Sequence, residues 1–232
     1  MSTASCLDKT RWLVVADVVT AALVGVAQAA DRALSIRGEF HIVLAGGTTP
    51  KALYERLVGL DTDWSRWHIW FGDERCLPAD DVNRNSHMAM QVWLDHCPIP
   101  STNIHVIPAE RGAETAAAEY AEQLQQIELF DLVLLGLGED GHTASLFPNQ
   151  FNPDETAAAI AVHNAPKPPA DRVSLSIRCL NDSRAVLFLV TGAGKRDAIA
   201  AWQRGDAIPA AAICIKTGVD VLLEPVCVER KS

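Results

Sequence analysis

Short apolar runs recur along the chain, each closed by a turn and most followed by a longer amphipathic or alanine-rich stretch. The runs are Trp12 to Val15, His41 to Ala45, His68 to Phe71, Asn103 to Ile107, Asp131 to Gly136, Ala185 to Thr191 and Val219 to Leu223. Runs of this length bounded by turn residues predict strands buried on both faces. The stretches between them predict helices. The first covers Val18 to about Ile36, with Asp17 as its N-cap, and a second ends near Val58. Others cover Asn85 to Cys97, Ala113 to Ile127, and the segment from the Gly192 turn to Trp202. Strand and helix alternate, which predicts a mostly parallel, Rossmann-like α/β sheet with helices on both faces, in one domain over residues 1–232. Arg172 to Ile177 alternates as a half-buried strand. Asn149 to Ala170 is proline-rich and reads as a surface excursion, with Pro166 to Pro169 as an active-site loop.

The formal net charge of −9 argues against nucleic acid as a partner, because a phosphate backbone needs a clustered basic face. It leaves room for a small anion, which needs only a few local cations. The first apolar segment carries Asp17 and Gln28 and reads as strand plus core helix, not a membrane span. The opening MSTASCLDKTRW lacks a signal-peptide pattern, so a cytoplasmic location is expected. The six cysteines form no CxxC pair. They are expected to be reduced and mostly buried, and no metal site is expected.

Candidate chemistry sits where strands end, since ligands of open α/β sheets bind beyond the carboxyl ends of strands. Phe130 to Pro148 reads FDLVLLGLGEDGHTASLFP. Its apolar run breaks into Gly136, Gly138 and Gly141, with Glu139, Asp140 and His142 between and after them. A carboxylate beside an imidazole can fix its tautomer and ready it to take a proton from water. Gly136-x-Gly138-x-x-Gly141 formally matches a dinucleotide fingerprint, but acidic residues inside it would repel a pyrophosphate. Gly46, Gly47, Thr48 and Thr49 lead into a helix whose free N–H groups and dipole suit a phosphate; the same turn also serves as a plain strand–helix connection. Lys195 follows Gly192-Ala193-Gly194 at a helix start, where a cation opposes the dipole unless an anion is present. Asp73-Glu74-Arg75 ends another strand, and Arg75 could neutralise an oxyanion or form a surface ion pair.

The blocks AGGTTPKALYERL, WFGDERCLP, NRNSHMA, LGLGEDGHTASLFP, APKPPADRVSLS and VTGAGKRDAI occur in this order between Trp12 and Leu223. In this the chain resembles the 6-phosphogluconolactonases and, more broadly, their relatives the glucosamine-6-phosphate isomerases and deaminases. The resemblance implies an enzyme without metal or other cofactor that hydrolyses 6-phospho-D-glucono-1,5-lactone to 6-phosphogluconate. It implies His142 as the catalytic base with Asp140 beside it. Arg75, or backbone N–H groups near Gly138 and Gly141, would stabilise the oxyanion, with Asp73 near the lactone. Gly46, Gly47, Thr48, Thr49, Arg172 and Lys195 would bind phosphate. The implied partner is a phosphorylated sugar lactone, with neither nucleic acid nor membrane; a monomer is compatible with it.

The chain departs from the pattern in three places. Ala45 stands where a serine is common, Arg178 where an apolar residue or proline is expected, and Glu224-Pro225-Val226 replaces an Asp-rich ending. Deaminases carry a glutamate five residues past the histidine, where this chain has Phe147, and Asp-Glu-Tyr where it has Asp73-Glu74-Arg75. A non-catalytic sugar-phosphate sensor would keep the phosphate turn without needing Asp140 and His142.

Overall fold

The computed structural model describes residues 6–228. The first five residues of the opening MSTASCLDKTRW and both ends of the 1–232 domain lie outside them. The strands are β1 (Thr10–Val14), β2 (Phe40–Leu44), β3 (Trp67–Phe71), β4 (Asp73–Arg75), β5 (Ile104–His105), β6 (Leu132–Gly136), β7 (Ala159–Val162), β8 (Arg172–Leu175), β9 (Val186–Val190) and β10 (Val219–Leu223). The α-helices are α1 (Val18–Arg37), α2 (Thr48–Leu57), α3 (Asn85–Val92), α4 (Ala113–Leu124), α5 (Ile177–Asn181) and α6 (Arg196–Arg204). Seven strands form one sheet in the order β1-β10-β9-β6-β2-β3-β5, every pair parallel. From β2 the chain moves outward through β3 to β5. From β6 it moves the other way, through β9 to β10. The order reverses between β2 and β6, and loops that part at such a point leave a crevice at the carboxyl ends of the strands.

The first helix forms as its sequence predicts. Asp17 Oδ1 accepts from the N–H groups of Val19 (2.9 Å) and Thr20 (3.2 Å), and Gly38 closes the helix in the left-handed region at φ 82°. Helix α1 is long and apolar enough to cross a membrane. Its Val18, Ala22, Val26, Ala30 and Ala33 recur every three or four residues and are buried, which is the pattern of a helix laid on a sheet. Two buried tyrosines fasten the central strands. Tyr54 of α2 hydrogen-bonds both the N–H and the C=O of Ala45, and Tyr120 of α4 does the same at Phe71. Satisfying both backbone groups where a strand leaves its ladder holds the site-bearing loops at a defined height.

Four expectations need correction. Asp73-Glu74-Arg75 does not end β3 but forms β4, which pairs antiparallel with β8 in a second sheet, β4-β8-β7. Arg172 to Ile177 is not a half-buried alternating strand. Its Arg172–Leu175 part is the middle strand of that sheet and wholly buried, and Ile177–Asn181 is helical, capped by Ser176 Oγ on the N–H of Cys179. The helix from Asn85 stops at Val92, because Trp93 leaves helical geometry to pack against Tyr54, Trp64 and Trp67. The cysteines are not all reduced: Cys6 and Cys214 form a disulfide that ties the segment before β1 to the segment before β10. Cys76, Cys97, Cys179 and Cys227 are free.

Three imidazoles lie across the edge strands. His41 and His68 are register partners on β2 and β3 and stack at 4.4 Å; His68 and His105 lie 5.7 Å apart, nearly parallel. Trp70 donates from Nε1 to His41 Nδ1 (3.2 Å), which leaves the His41 proton on Nε2, 3.3 Å from Glu39. His68 Nε2 is also near Glu39, at 3.9 Å, so these three ligand-type groups lie close together. Burial and the charges of His68 and His41 push His105 down to about 4. Burial, with His41 adding and Glu39 opposing, lowers His68 as well. Between the ordinary histidine value of about 6.5 and these lowered values the unfolded chain binds more protons, so stability falls with falling pH.

Two outcomes follow. Chemical-denaturation midpoints should drop between about pH 6.5 and about pH 4. His105→Gln should flatten that slope, as tryptophan fluorescence can report. In denaturant without reductant four thiols should react with a thiol reagent, and all six cysteines after reduction.

Candidate active site

A cleft of about 390 Å³ opens at the carboxyl end of the sheet, at the reversal between β2 and β6. It is walled by the Gly46–Thr49 turn, by Asp73 and Arg75, by Gly138 and His142, and by Thr191 and Lys195. The hairpin between β7 and β8 adds Lys167, Pro168 and Arg172. The cleft thus gathers the predicted residues except Asp140 and Gly141, which stand just behind His142. A larger hollow, about 520 Å³, lies at the other end of the strands between α4, the loop entering β6 and α5. Arg178 lines it and donates from Nη1 to the carbonyl of Thr156. None of the predicted site residues lines this hollow; its lining includes Glu128, Cys179 and Asp182.

The glycine turn is shaped by a residue that sequence reasoning gave no role. A Cβ on Gly46 would stand 2.1 Å from Asn85 Oδ1, so only glycine lets that side chain in. Gly47, at φ 111°, is the N-cap of α2 and offers no side-chain cap. Pro50 has no N–H, and the first-turn N–H groups of Thr48 and Thr49 are left for a ligand. The hydroxyl of Thr49 meets that of Thr191 at 2.7 Å, which joins the turns after β2 and β9. Across that junction Lys195 is half-buried at the start of α6. The Gly192 N–H of its turn donates to Glu224 Oε2 at 2.8 Å, which gives the unusual chain ending a structural purpose.

The loop after β6 folds around His142. Its Nδ1 donates to Asp140 Oδ1 at 2.5 Å, and its backbone N–H reaches the same oxygen at 3.1 Å. Burial pushes the Asp140 carboxyl up, but the hydrogen bonds and charge of His142 outweigh it and the net shift is downward. Asp140 is therefore the acceptor in this bond, with the proton on His142 Nδ1. A Cβ on Gly138 would stand 2.0 Å from His142 Nδ1, and Gly141 adopts φ 87° with Ile208 packed against it. Both glycines are needed for space and conformation. Neither is an oxyanion donor: the Gly138 N–H is bonded to the His142 carbonyl (2.8 Å) and the Gly141 N–H to the Gly138 carbonyl (3.1 Å). The residues after the histidine lock the loop. Thr143 Oγ1 donates to the Gly136 carbonyl (2.9 Å), Ala144 turns at φ 47°, and Ser145 Oγ donates to Asp73 Oδ2 (2.6 Å).

Asp73 is accordingly a bracket. Its other oxygen accepts from Asn85 Nδ2 at 3.0 Å, so the carboxylate joins the β3–β4 corner to both α3 and the His142 loop. Glu74 is fully buried and takes the N–H groups of Arg75 (2.8 Å), Asn85 (2.7 Å) and Ser86 (2.8 Å). It caps α3 from eleven residues away. The NRNS block contains Asn85, but nothing local in it signals that the cap is distant.

Arg75 donates from Nη1 to the Asn83 carbonyl (2.5 Å), and its Nε is buried without a partner. Arg172 is buried. Its Nε reaches the carbonyl of Pro169 (3.2 Å) and its Nη2 those of Lys167 (2.9 Å) and Pro168 (3.4 Å), while its guanidinium lies 5.8 Å from the centre of the Phe147 ring. Burial lowers the Arg172 pKa, nearby Arg75 adds to this, and Asp73 opposes it. The Nη1 edge of the guanidinium holds no carbonyl. Phe147 packs 4.9 Å from the His142 ring.

A glycine-rich helix N-terminus, a group of cations and a histidine bonded to a carboxylate, meeting at a strand-order reversal, are the features of an α/β protein suited to a phosphorylated small molecule. The chain belongs to the family described as glucosamine-6-phosphate isomerases/6-phosphogluconolactonase, whose sequence profile matches residues 15–222. It is 39% identical over 191 residues to a 6-phosphogluconolactonase of Synechocystis, covering 78% of this chain and 79% of that one. A 6-phosphogluconolactonase of Mycobacterium leprae is 39% identical over 197 residues, covering 77% and 80%. The crystal structure of a 6-phosphogluconolactonase from Thermotoga maritima superimposes with a TM-score of 0.88 at 28% identity, covering 93% of this chain and all of that one.

Glu74→Ala would leave the Arg75, Asn85 and Ser86 N–H groups unmatched in the interior and take from Arg84 one of its two carboxylates, Glu110 remaining. Loss of one partner from a buried charged network costs about 3–5 kcal/mol, and thermal unfolding should show a loss of that order.

Proposed function

We propose that the chain hydrolyses 6-phospho-D-glucono-1,5-lactone to 6-phospho-D-gluconate, the ring-opening step of the oxidative pentose phosphate pathway. The observation that carries this reading is the 2.5 Å Asp140–His142 pair on the rim of the same cleft as the uncapped N-terminus of α2. With Nδ1–H donated to Asp140, Nε2 keeps its lone pair for water. The substrate phosphate docks on the first turn of α2 beside Lys195, which orients the ring. His142 Nε2 takes a proton from water as its oxygen bonds to C1. The carbonyl π electrons move onto oxygen, where Arg75 stabilises the oxyanion with N–H groups that hold no other acceptor. When the oxyanion collapses the bond from C1 to the ring oxygen breaks, and the protonated His142 returns its proton to that oxygen. No metal or redox step enters, because ester cleavage needs only proton transfer and charge stabilisation.

Phe147 favours this reading over the deaminase one. It places an aromatic ring where a deaminase needs a carboxylate, and the ring packs on His142. A cytoplasmic location and a monomeric state belong to the same reading. The Cys6–Cys214 bridge bears against the first, since stable disulfides are rare in reducing compartments.

The test is lactone hydrolysis followed by proton release, corrected for the spontaneous rate. His142→Ala should lose about 10²–10⁴-fold in kcat, the usual worth of a general base, with its unfolding temperature unchanged. Arg75→Ala should lose about 10²–10³-fold, as for removal of an oxyanion donor. Near-normal turnover by folded His142→Ala would overturn the mechanism. Wild-type protein no faster than buffer would overturn the function and favour a sugar-phosphate sensor.

A further inference from the structure

The net charge of the chain is −9, yet one cleft gathers Arg75, Lys167, Arg172 and Lys195, none of them ion-paired among the described residues. Three of these cations sit on rigid elements: Arg75 on β4, Arg172 on β8 and Lys195 at the entry of α6. Lys167 does not. It rides on the hairpin loop 163–171 between β7 and β8, and its side chain is exposed at the cleft wall. The loop is nonetheless held firmly. The Ala165 N–H donates to the Ala170 carbonyl (2.9 Å), and the imidazole at its base, His163, bridges Asp171 (2.8 Å) and Glu114 of α4 (2.5 Å). Arg172 grips the successive carbonyls of Lys167, Pro168 and Pro169. That grip is on the backbone, so the loop is positioned while the Lys167 ammonium stays free. A guanidinium spent on three carbonyls of one loop, in a cleft where like charges crowd, makes sense if the loop carries something the ligand needs.

We propose that Lys167 is a substrate-binding residue carried on an overhanging flap, and that Arg172 is the positioning residue that fixes the flap in place. Lys167 meets the anionic ligand from the flap while the first turn of α2 and Lys195 meet it from helix starts, so the phosphorylated sugar acid is held between fixed elements and the flap. The inference rests on the function proposed above for its ligand class, and its test needs no turnover. Calorimetric binding of 6-phosphogluconate should weaken about tenfold in Lys167→Met, the worth of one partly exposed charge-assisted contact, and recover to within about twofold of wild type in Lys167→Arg. The salt dependence of binding should shrink in Lys167→Met, because one screened attraction is gone. Exchange protection of the Ala165 amide should persist in both variants, since their backbone tie is intact, and fall in Arg172→Ala as the flap loosens.

Affinity of Lys167→Met within about twofold of wild type would overturn the proposal, that being less than a charge-assisted contact is worth. So would equal losses in Lys167→Met and Lys167→Arg, or loss of Ala165 protection in step with affinity, both of which mark a structural residue. A chain that binds 6-phosphogluconate through Lys167 but does not hydrolyse the lactone would sink the lactonase reading alone.

Discussion

The buried carboxylate of Glu74 holds the corner on which the candidate site depends. The chain leaves β3 at Phe71, and the Gly72 N–H is bonded to the carbonyl of Leu44 at the end of β2 (2.9 Å). Glu74 then gathers three N–H groups, two of them at the N-terminus of α3, with Arg84 3.5 Å away. A fully buried charge is costly to desolvate and is tolerated when its lone pairs are filled by well-aligned donors. The consequence is geometric. Once α3 is capped from β4, Asn85 is directed at Gly46 and Asp73 together, and Asp73 in turn holds Ser145. One carboxylate therefore sets the spacing between the phosphate turn, the β3–β4 corner and the His142 loop.

The cleft works against the charge of the whole protein. An acidic surface repels anions at long range, and cations at the bottom of a concave, partly dry site attract them at short range. The structure divides this work. The α2 N-terminus and Lys195 are fixed by helices. Arg75 and Arg172 face each other as register partners on antiparallel strands, and both spend donors on backbone carbonyls. Those bonds keep the guanidiniums in place without neutralising them. The Asp140–His142 pair sits beside this field on a loop whose own N–H groups are consumed in holding its shape.

Much of the fold was legible in the sequence because strand and helix periodicity is local. Val219 to Leu223 and the Asp17 cap form as predicted, and the turns singled out after β2, β6 and β9 do meet in one cleft. The losses fall where partners are distant. The three residues Asp73–Arg75 look like the tail of β3 until β8, nearly a hundred residues on, supplies their partner. Cys6 and Cys214 are separated by 208 residues, and scattered spacing gives no hint of their pairing. Asn85, Thr191 and Glu224 carry no local signature of a site, because their roles are to join loops that only the folded chain brings together.

Residue types and their order determined by themselves that this is a parallel α/β protein with chemistry at its strand ends, since apolar period, glycine turns and helix caps depend on neighbours in the chain. Tertiary structure decided which polar atoms remain available. It used the N–H groups of Gly138 and Gly141 for the turn, made Asp73 a bracket, turned most of Arg172 toward a flap, and left Lys167 free. A donor is available only if no acceptor has already taken it, and the acceptors that took these come from loops and strands whose meeting no local pattern encodes.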